Sequence, residues 1–300
     1  YLPYVKNYAL LKSSENYKLL NSNMAQQILK EVDGSFRSFF SLLKLAKQGN
    51  YPFQACKLPK YLPKDGYTTL IVGFVRLNGN QFTLPYSTEY KKTHKPVTIM
   101  VPPILSGKTI KEIRIIPKSD ARFFEIQYTY QAEPVQRNLN PNHALALDFG
   151  IDNLVTAVSN TGESFILDGK RLKSVNQWFN KRYAYLQSIR DKQRLGKKPT
   201  RRQAALQRIR DNQVRDYMSK AAKNVIDFCI RKNIGTLIVG FNRDFQRSSR
   251  LDRRLNQAFV SIPFGMLRRK LRYLCELNRI SYVEQEESYT SKASFWDRDE

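Results

Sequence analysis

The spacing of apolar residues changes twice along the chain. Up to about residue 48, apolar residues recur at three- and four-residue steps, which is the period of amphipathic helices. From residue 66 to about 133, short runs rich in β-branched and aromatic residues alternate with turn sequences such as Asn78-Gly79-Asn80, a pattern typical of β-strands. We therefore expect a helical region over 1–65 and a small β-barrel or sandwich over 66–136.

After a Pro- and Asn-containing linker at 134–142, strand and helix patterns mix. Three strands are predicted first, then two long helices within 170–233, and finally a strand, a helix and a last strand. The strands are predicted at 143–147, 154–158, 164–167, 236–239 and 280–283, and the late helix at 263–278. This order is that of an RNase H-like α/β domain with a helical insertion. The fold class predicted for the chain is thus α+β and multidomain, with the α/β domain at 142–300.

The charge of the chain points to a polyanionic partner. Its 51 Lys and Arg residues outnumber 26 Asp and Glu residues, which gives a formal net charge of +25. Such an excess opposes compaction by self-repulsion and is typical of nucleic-acid-binding proteins. An anionic membrane surface is the competing partner, but the basic residues are spread over several segments and every apolar run is far shorter than about 18 residues. We expect nucleic acid as the partner and no membrane.

Cysteine and histidine usage indicates a reducing compartment without structural zinc. Cys56, Cys229 and Cys275 are widely separated, and the last two lie in apolar helical patterns, so free thiols are favoured over disulfides. No metal-ligand spacing exists, because the cysteines are isolated and the only histidines are His94 and His143. We predict an intracellular protein with no zinc bound by this chain.

Acidic residues stand at the ends of two predicted strands. Asp148 ends an apolar strand just before Gly150, and the pair Glu286-Glu287 follows the last strand. Taken alone, Asp148 would be interpreted as a turn residue. Carboxylates at neighbouring strand ends, however, can hold two Mg²⁺ (or Mn²⁺) ions about 4 Å apart, which is the arrangement used for phosphodiester hydrolysis.

The predicted helical insertion is strongly basic. Between Lys170 and Lys220 there are 16 Lys and Arg residues against 3 Asp residues. A solvated helix face is the usual explanation of a charge run, but an excess of this size favours contact with phosphates. A second basic run follows the fourth strand. The candidate contact residues are Lys197, Lys198, Arg201, Arg202, Arg208, Arg215, Lys220, Arg247 and Arg250.

Three short motifs resemble one protein family. Asp148-Phe149-Gly150-Ile151-Asp152 is similar to the first RuvC motif of the transposon-encoded TnpB nucleases, relatives of the compact type V CRISPR effectors. The run from Arg215 to Lys220 resembles the motif on the helix before that family's fourth strand, and Tyr289-Thr290-Ser291-Lys292 resembles its Tyr-Thr-Ser motif. The resemblance covers about 143–300 in the family's order, and it adds Tyr289 and Lys292 to the candidate nucleic-acid contacts.

The resemblance implies an RNA-guided DNA endonuclease. The domain at 142–300 would be of the RuvC type, and 1–65 and 66–136 would correspond to recognition-like and wedge-like regions. Guide RNA and target double-stranded DNA would be the partners, Mg²⁺ or Mn²⁺ the cofactor, and the prokaryotic cytoplasm near the nucleoid the location. Asp148 would be the first metal ligand.

The chain departs from the family at the second metal ligand. Where the family usually has Glu at the end of the fourth strand, this sequence has Gly240, which cannot bind a metal. The protein would then be a nuclease-inactive, RNA-guided DNA-binding repressor, or its carboxylate would be relocated to the fifth strand, about 4.8 Å away. Some family members resemble this chain in having Glu after the fifth strand. We favour relocation, with Glu287 as the better candidate and Glu286 as the second.

A further departure concerns the family's zinc ribbon and third ligand. Ala293 and Trp296 stand where a Cys-x-x-Cys pair is common. The family's third catalytic Asp follows that ribbon, so its counterpart is expected beyond Glu300. The RuvC-like domain is therefore expected to be incomplete at the C-terminal end of this chain.

Overall fold

The computed structural model describes residues 1–196, 198–241 and 261–286. The chain divides into two compact units, Tyr1–Ala132 and Glu133–Glu300. The dividing point is close to the linker predicted at 134–142. The mixed α+β class predicted from the sequence is confirmed, with helices and three separate sheets in the described residues.

The first unit begins with helices. They are α1 (Tyr4–Leu11), α2 (Glu15–Leu19) and α3 (Ser22–Lys47), followed by a 3₁₀ turn at Phe53–Ala55. The side chain of Asn21 caps α3 by accepting a hydrogen bond from the backbone N–H of Asn23. Near its start α3 buries Met24, Ala25 and Leu29, while much of the rest is exposed.

Six short strands complete the first unit. They are β1 (Leu70–Val72), β2 (Leu77–Asn78), β3 (Gln81–Thr83), β4 (Thr98–Met100), β5 (Ile110–Lys118) and β6 (Phe123–Tyr130), with α4 (Thr88–Thr93) and a 3₁₀ turn (Pro103–Leu105) flanking β4. They form two antiparallel three-stranded sheets, β1-β5-β6 and β2-β3-β4. Val72, Phe82 and Ile113 from these sheets share one core with Met24 of α3. Because the helix needs the sheets to cover its apolar face, the regions predicted at 1–65 and 66–136 form one unit.

The second unit is a five-stranded sheet with helices. Its elements are β7 (Asn140–Asp148), β8 (Asn153–Ser159), β9 (Ser164–Asp168), α5 (Lys170–Lys192), α6 (Arg201–Arg231), β10 (Ile234–Phe241), α7 (Phe264–Leu277) and β11 (Ser281–Glu286). The strand order is β11-β10-β7-β8-β9. β10 pairs parallel with both β7 and β11, whereas β8 is antiparallel to its neighbours. This is the predicted sequence of three strands, helical insertion, strand, helix and strand.

Helices cover one face of the five-stranded sheet. Leu147 of β7 and Val239 of β10 belong to a buried cluster with α6 and α7, represented by Met218 and Leu271. Residues of the opposite parity are more exposed, since side chains alternate between faces along a strand. On that side, which we call the open face, lie Ala146, Asp148, Val158, Ile238 and Val283.

The insertion is a helical hairpin of α5 and α6. Thr200 caps α6 in a capping box with Gln203, whose side chain also donates to Gln187 of α5 at 3.0 Å. Arg210 donates to Asn176 at 2.9 Å and so adds a second polar link between the two helices. Both helices carry too many charges for a bilayer, and no helix within the described ranges is long and apolar enough to cross a membrane.

Cysteine reactivity provides a test of this core. All three cysteines are free, and Cys229 and Cys275 are fully buried, as predicted, whereas Cys56 is half-buried. Burial raises the pKa of both buried thiols to about 12. Since the thiolate is the reactive form and would amount to only about 10⁻⁴ of each thiol at pH 8, we expect one thiol per native chain to react with a disulfide reagent. Three should react in denaturant, and rapid labelling of two or more in the native protein would contradict the packing of α6 against α7.

Candidate functional site

Asp148 is the last residue of β7, where the buried strand reaches solvent. Its partner across the sheet is Thr156 of β8, and the preceding residue, Leu147, is buried. The carboxylate is exposed and forms no hydrogen bond or ion pair with another residue in the described part of the chain. Its oxygens are therefore available to a cation or to water.

The turn after Asp148 is held rigidly. Phe149 is buried and stacks on Phe264 of α7, with ring centroids 5.9 Å apart. A side chain at Gly150 would place its first carbon 2.8 Å from the carbonyl oxygen of Asn153, so the tight return of the chain requires glycine there. These contacts fix the position at which Asp148 leaves the sheet.

Asp152, the second acidic residue of the motif, is engaged in the structure. Its carboxylate accepts a bond from Lys173 of α5 at 2.9 Å, and its carbonyl oxygen accepts one from the N–H of Gly169 at 2.7 Å. The turn that follows Asp148 is thereby tied to the start of α5. Asp152 and Asp148 thus differ in role, because only Asp148 lacks a partner among the described residues.

The register of β7, β10 and β11 identifies what lies beside Asp148. Val239 pairs with Leu147 on one side and with Glu284 on the other. The side chains of all three residues lie on the face of the sheet that the helices cover. One residue further, Gly240 pairs with Gln285, and this row shares the open face with Asp148. The middle strand therefore presents no side chain between Asp148 and the end of β11.

Glu286, the second candidate for the relocated ligand, is the last residue of β11 and pairs with Phe241. It is exposed and lies at the same edge of the sheet as Asp148. By strand alternation, however, it shares the face of Glu284 rather than that of Gln285. The strand thus brings Glu286 to the correct edge and directs it to the face opposite Asp148.

Glu284 is a structured acidic residue that the sequence did not single out. Its Oε1 accepts bonds from Arg268 at 2.8 Å and from the hydroxyl of Tyr282 at 2.9 Å, and Arg272 lies at 3.0 Å. Burial works against ionisation, but the hydrogen bonds from Arg268 and Tyr282 hold the pKa of this carboxyl below its usual range. Burial and the Glu284 carboxylate raise the pKa of Tyr282 to about 12. Glu284 therefore fastens β11 to α7, and the four-residue spacing of Arg268 and Arg272 is the signal that could have revealed it.

The remaining predicted acidic and terminal residues are not all covered. In the sequence, Glu287 directly follows the last residue of β11. The predicted site residues that lie outside the described ranges are Glu287, Tyr289, Lys292, Arg247, Arg250 and Lys197. Within the described ranges, no three His, Cys, Asp or Glu side chains converge in a way that could hold a metal ion. Of the predicted metal ligands, the structure therefore describes Asp148 and the second candidate Glu286, but not Glu287.

Most of the predicted nucleic-acid contacts fall on α6. Arg201, Arg208 and Arg215 are exposed and follow one another at seven-residue steps, so they lie along one side of the helix. Lys198 and Arg202 are exposed near its N-terminal end. Lys220 lies five residues beyond Arg215, on another side, and forms an ion pair with Asp216 at 2.7 Å. The structure brings the arginines together and separates Lys220 from them.

One family model matches part of the chain. A family model described as a probable transposase, OrfB_IS605, matches residues 126–246, which include both Asp148 and Gly240. No curated protein matches the chain.

One solved structure supports a shared fold, and a second is similar to a lower degree. A cryo-EM structure of a Cas12f1–sgRNA–target DNA complex has 13% sequence identity and a TM-score of 0.58, and the match covers 93% of this chain and 64% of that one. A CRISPR–Cas12f ternary complex has 13% identity and a TM-score of 0.43, with 96% and 65% covered. The chain thus spans a little under two thirds of the length of the Cas12f chains that it resembles.

Proposed function

We propose, from the premise that this chain is a TnpB-like protein, that it is a transposon- or CRISPR-associated RNA-guided DNA endonuclease that depends on a divalent metal. The family match, the Cas12f-like fold and the net charge of +25 support this reading. The observation that carries it is the exposed carboxylate of Asp148 at the end of β7, which has no partner among the described residues and lies beside Gly240, the second-last residue of β10.

Guide RNA and target DNA are the proposed partners. The Cas12f1 structure with the similar fold is described as a complex with both kinds of nucleic acid. In such a system base pairing reads the target sequence, while the protein contacts backbones and a short flanking motif. The exposed arginines along one side of α6 are suited to phosphates, since guanidinium groups bind them through paired hydrogen bonds.

The strand geometry is compatible with a divalent metal at Asp148. Adjacent strands lie about 4.8 Å apart, so the ends of β7 and β11, which flank β10, are roughly 10 Å apart. Two carboxylates reaching inward from these strands would leave room for ions about 4 Å apart above Gly240. Mg²⁺ or Mn²⁺ would stabilise the charge on the attacking and leaving oxygens of the phosphodiester. Asp148 would supply hard oxygen ligands, which such ions prefer.

Glu287 is the proposed second ligand. In β11 the odd-numbered residues Val283 and Gln285 share the open face with Asp148, and Glu286 has the other parity. Glu287 lies outside the described residues, and it would share this face if the alternation of β11 continued for one more residue. On that basis we propose Glu287 as the ligand within the pair predicted from the sequence, with Glu286 as a matched control.

A nuclease-inactive, RNA-guided DNA-binding repressor is the second candidate function. Gly240 at the end of β10 favours it, because a glycine cannot supply the ligand that the family usually has there. The same scaffold and basic surface would then hold guide and target without cutting.

Plasmid cleavage distinguishes the two candidate functions. The protein, as its gene encodes it, would be purified together with the RNA expressed from its own locus. The complex would then be incubated with supercoiled plasmids that carry a target matching the guide next to a randomised flanking sequence. We expect linear product that requires the matched guide and is abolished by EDTA. Guide-dependent retention of the matched duplex without product in Mg²⁺ or Mn²⁺ would support the repressor, and equal retention with a scrambled guide would contradict both functions.

Removing the arginines at the start of α6 should weaken RNA binding in a salt-dependent way. For the double variant Arg201→Ala/Arg202→Ala, we expect the slope of log K against log [salt] for the guide RNA to fall by about 1.4–1.8, because each phosphate contact contributes roughly 0.7–0.9 to the slope. Lys220→Ala is the control, since its ammonium is held by Asp216. A slope equal to wild type in the double variant would contradict phosphate contact at this end of α6.

A further inference from the structure

The outer side of α5 carries two large aromatic residues that the fold leaves exposed. Trp178 is 43% exposed and Tyr185 is 58% exposed. They are seven residues apart, which is two helical turns, so they lie on the same side of the helix and about 10 Å apart along it. The exposed residues Lys181 and Arg182 lie between them. We call these four residues the aromatic–basic stripe.

The stripe has no structural role within the described residues. The inner side of α5 is formed by buried Leu172 and Asn176, and its partly buried Phe179 lies under the guanidinium of Arg210 at 5.9 Å. The side chains of the four stripe residues, in contrast, make no hydrogen bond, ion pair or ring contact with any other described residue. Aromatic side chains stabilise proteins mainly when they are covered, so two exposed rings on one helix side suggest a partner.

The charge around the stripe indicates a polyanion. From 170 to 190 the chain has six Lys and Arg residues and no Asp or Glu. If a helix of a partner protein packed on this side of α5 through apolar contacts, α5 would need apolar residues there every three or four positions. Lys181 and Arg182 instead occupy the positions between the two rings. Cations between exposed rings are instead typical of surfaces on which nucleobases stack while phosphates are neutralised.

The stripe leads away from the edge that contains Asp148. α5 begins directly after β9, and its first turn is tied to the turn after Asp148 by the bond between Lys173 and Asp152 at 2.9 Å. Trp178 follows about 12 Å along the helix from Lys170, and Tyr185 about 10 Å beyond it. A single strand of nucleic acid lying along α5 would thus extend toward the end of β7.

We infer that the aromatic–basic stripe binds single-stranded nucleic acid by stacking bases on Trp178 and Tyr185, with Lys181 and Arg182 on the backbone. Bases in a duplex already stack on one another and offer no free face to a ring, so a duplex could use only the two cations. Stacking is tolerant of sequence, which suits a protein whose specificity comes from a guide. The inference deepens the proposed function, on which it rests for the class of ligand.

Tryptophan fluorescence tests the stacking directly. The chain has two tryptophans, so Trp296→Phe leaves Trp178 as the single reporter. Oligo(dT), oligo(U) and a duplex would be titrated at one fixed salt concentration, without guide RNA or divalent metal. We expect saturable quenching by the single strands and weak quenching by the duplex, and a preference between oligo(dT) and oligo(U) identifies which kind of strand the stripe holds.

Variants separate stacking from charge. By fluorescence anisotropy of a labelled oligonucleotide, Trp178→Ala and Tyr185→Ala should each weaken single-strand binding about tenfold, because a stacked base is lost. Trp178→Phe and Tyr185→Phe should restore most of it. Gln177→Ala, at an exposed neighbouring position on α5, is the matched control and should leave binding unchanged.

Absence of quenching, equal quenching by the duplex, or alanine variants that bind like the control would each overturn the inference. The last result would indicate a protein rather than a nucleic acid as the occupant of α5. Because these measurements use neither guide nor cleavage, loss of the proposed nuclease activity would not alter them. Failure of the stripe and failure of the proposed function are therefore distinguishable.

Discussion

Replacing Asp148 by Asn is expected to reduce guide-dependent cleavage of a matched plasmid by roughly 10³-fold. The amide has the size of the carboxylate but no charge, and charge stabilisation by a bound metal amounts to several kcal/mol, at 1.36 kcal/mol per tenfold in rate. Since the Asp148 side chain is exposed and forms no hydrogen bond or ion pair with other described residues, the folded state should be unaffected. Single-turnover cleavage rates, together with retention of the matched duplex, measure both effects.

Asp152→Asn provides the control for Asp148→Asn. Asp152 belongs to the same short motif, but its carboxylate is engaged by Lys173 at the start of α5. Loss of this partly exposed ion pair should cost at most about 1 kcal/mol of stability and only a small factor in rate. Wild-type cleavage by Asp148→Asn, or equal losses in the two variants, would contradict a metal site at the end of β7.

The second large effect is expected at Glu287. Glu287→Gln should lower the cleavage rate by roughly 10²- to 10³-fold, because a metal ligand is lost. Glu286→Gln should cut within a few-fold of wild type, because Glu286 has the parity of Glu284 and not that of Asp148. Parallel single-turnover assays of the two neighbouring variants compare adjacent residues that strand alternation would direct to opposite faces. The opposite ranking would show that the ligand had been assigned to the wrong residue.

Gly240 offers a rescue of the Glu287 variant. It lies on the open face one residue beyond Val239, which pairs with Leu147, and therefore stands next to Asp148. A glutamate at this position would reach the same ions from the middle strand. We expect Gly240→Glu to restore at least about tenfold of the activity lost in Glu287→Gln, as judged by the same assay. If neither Glu287→Gln nor Glu286→Gln affects cleavage, the relocated site is refuted. Absence of cleavage in wild type and in all variants would favour the repressor.

The order of elements could be predicted from the sequence because each element has its own period. Strands β7, β8 and β10 are apolar runs bounded by turns, and α5 and α6 follow the helical repeat. The position of Asp148 at the end of a buried strand followed from the same pattern. The boundary of β11 did not, because it was predicted to end at Val283 and extends to Glu286. An edge strand keeps its outer residues polar, so its last residues lack an apolar signal.

The sequence could not give the relations between elements. Which of Glu286 and Glu287 shares a face with Asp148 depends on the register of β11 against β10, and this is set by tertiary pairing. The role of Glu284 depends on α7 bringing Arg268 and Arg272 against the strand. Similarly, charge counting along α5 and α6 identified basic residues, but only burial showed that Trp178 and Tyr185 are exposed between them.

Locating bound Mn²⁺ by anomalous diffraction is the most direct test of the metal site. Crystals of the native protein with its guide RNA would be grown in Mn²⁺, an ion that the site should accept in place of Mg²⁺. We predict anomalous peaks above Gly240, within about 2.2 Å of carboxylate oxygens of both Asp148 and Glu287. The absence of a peak at Asp148, or Glu287 directed to the helix-covered face of the sheet, would contradict the proposed cutting centre.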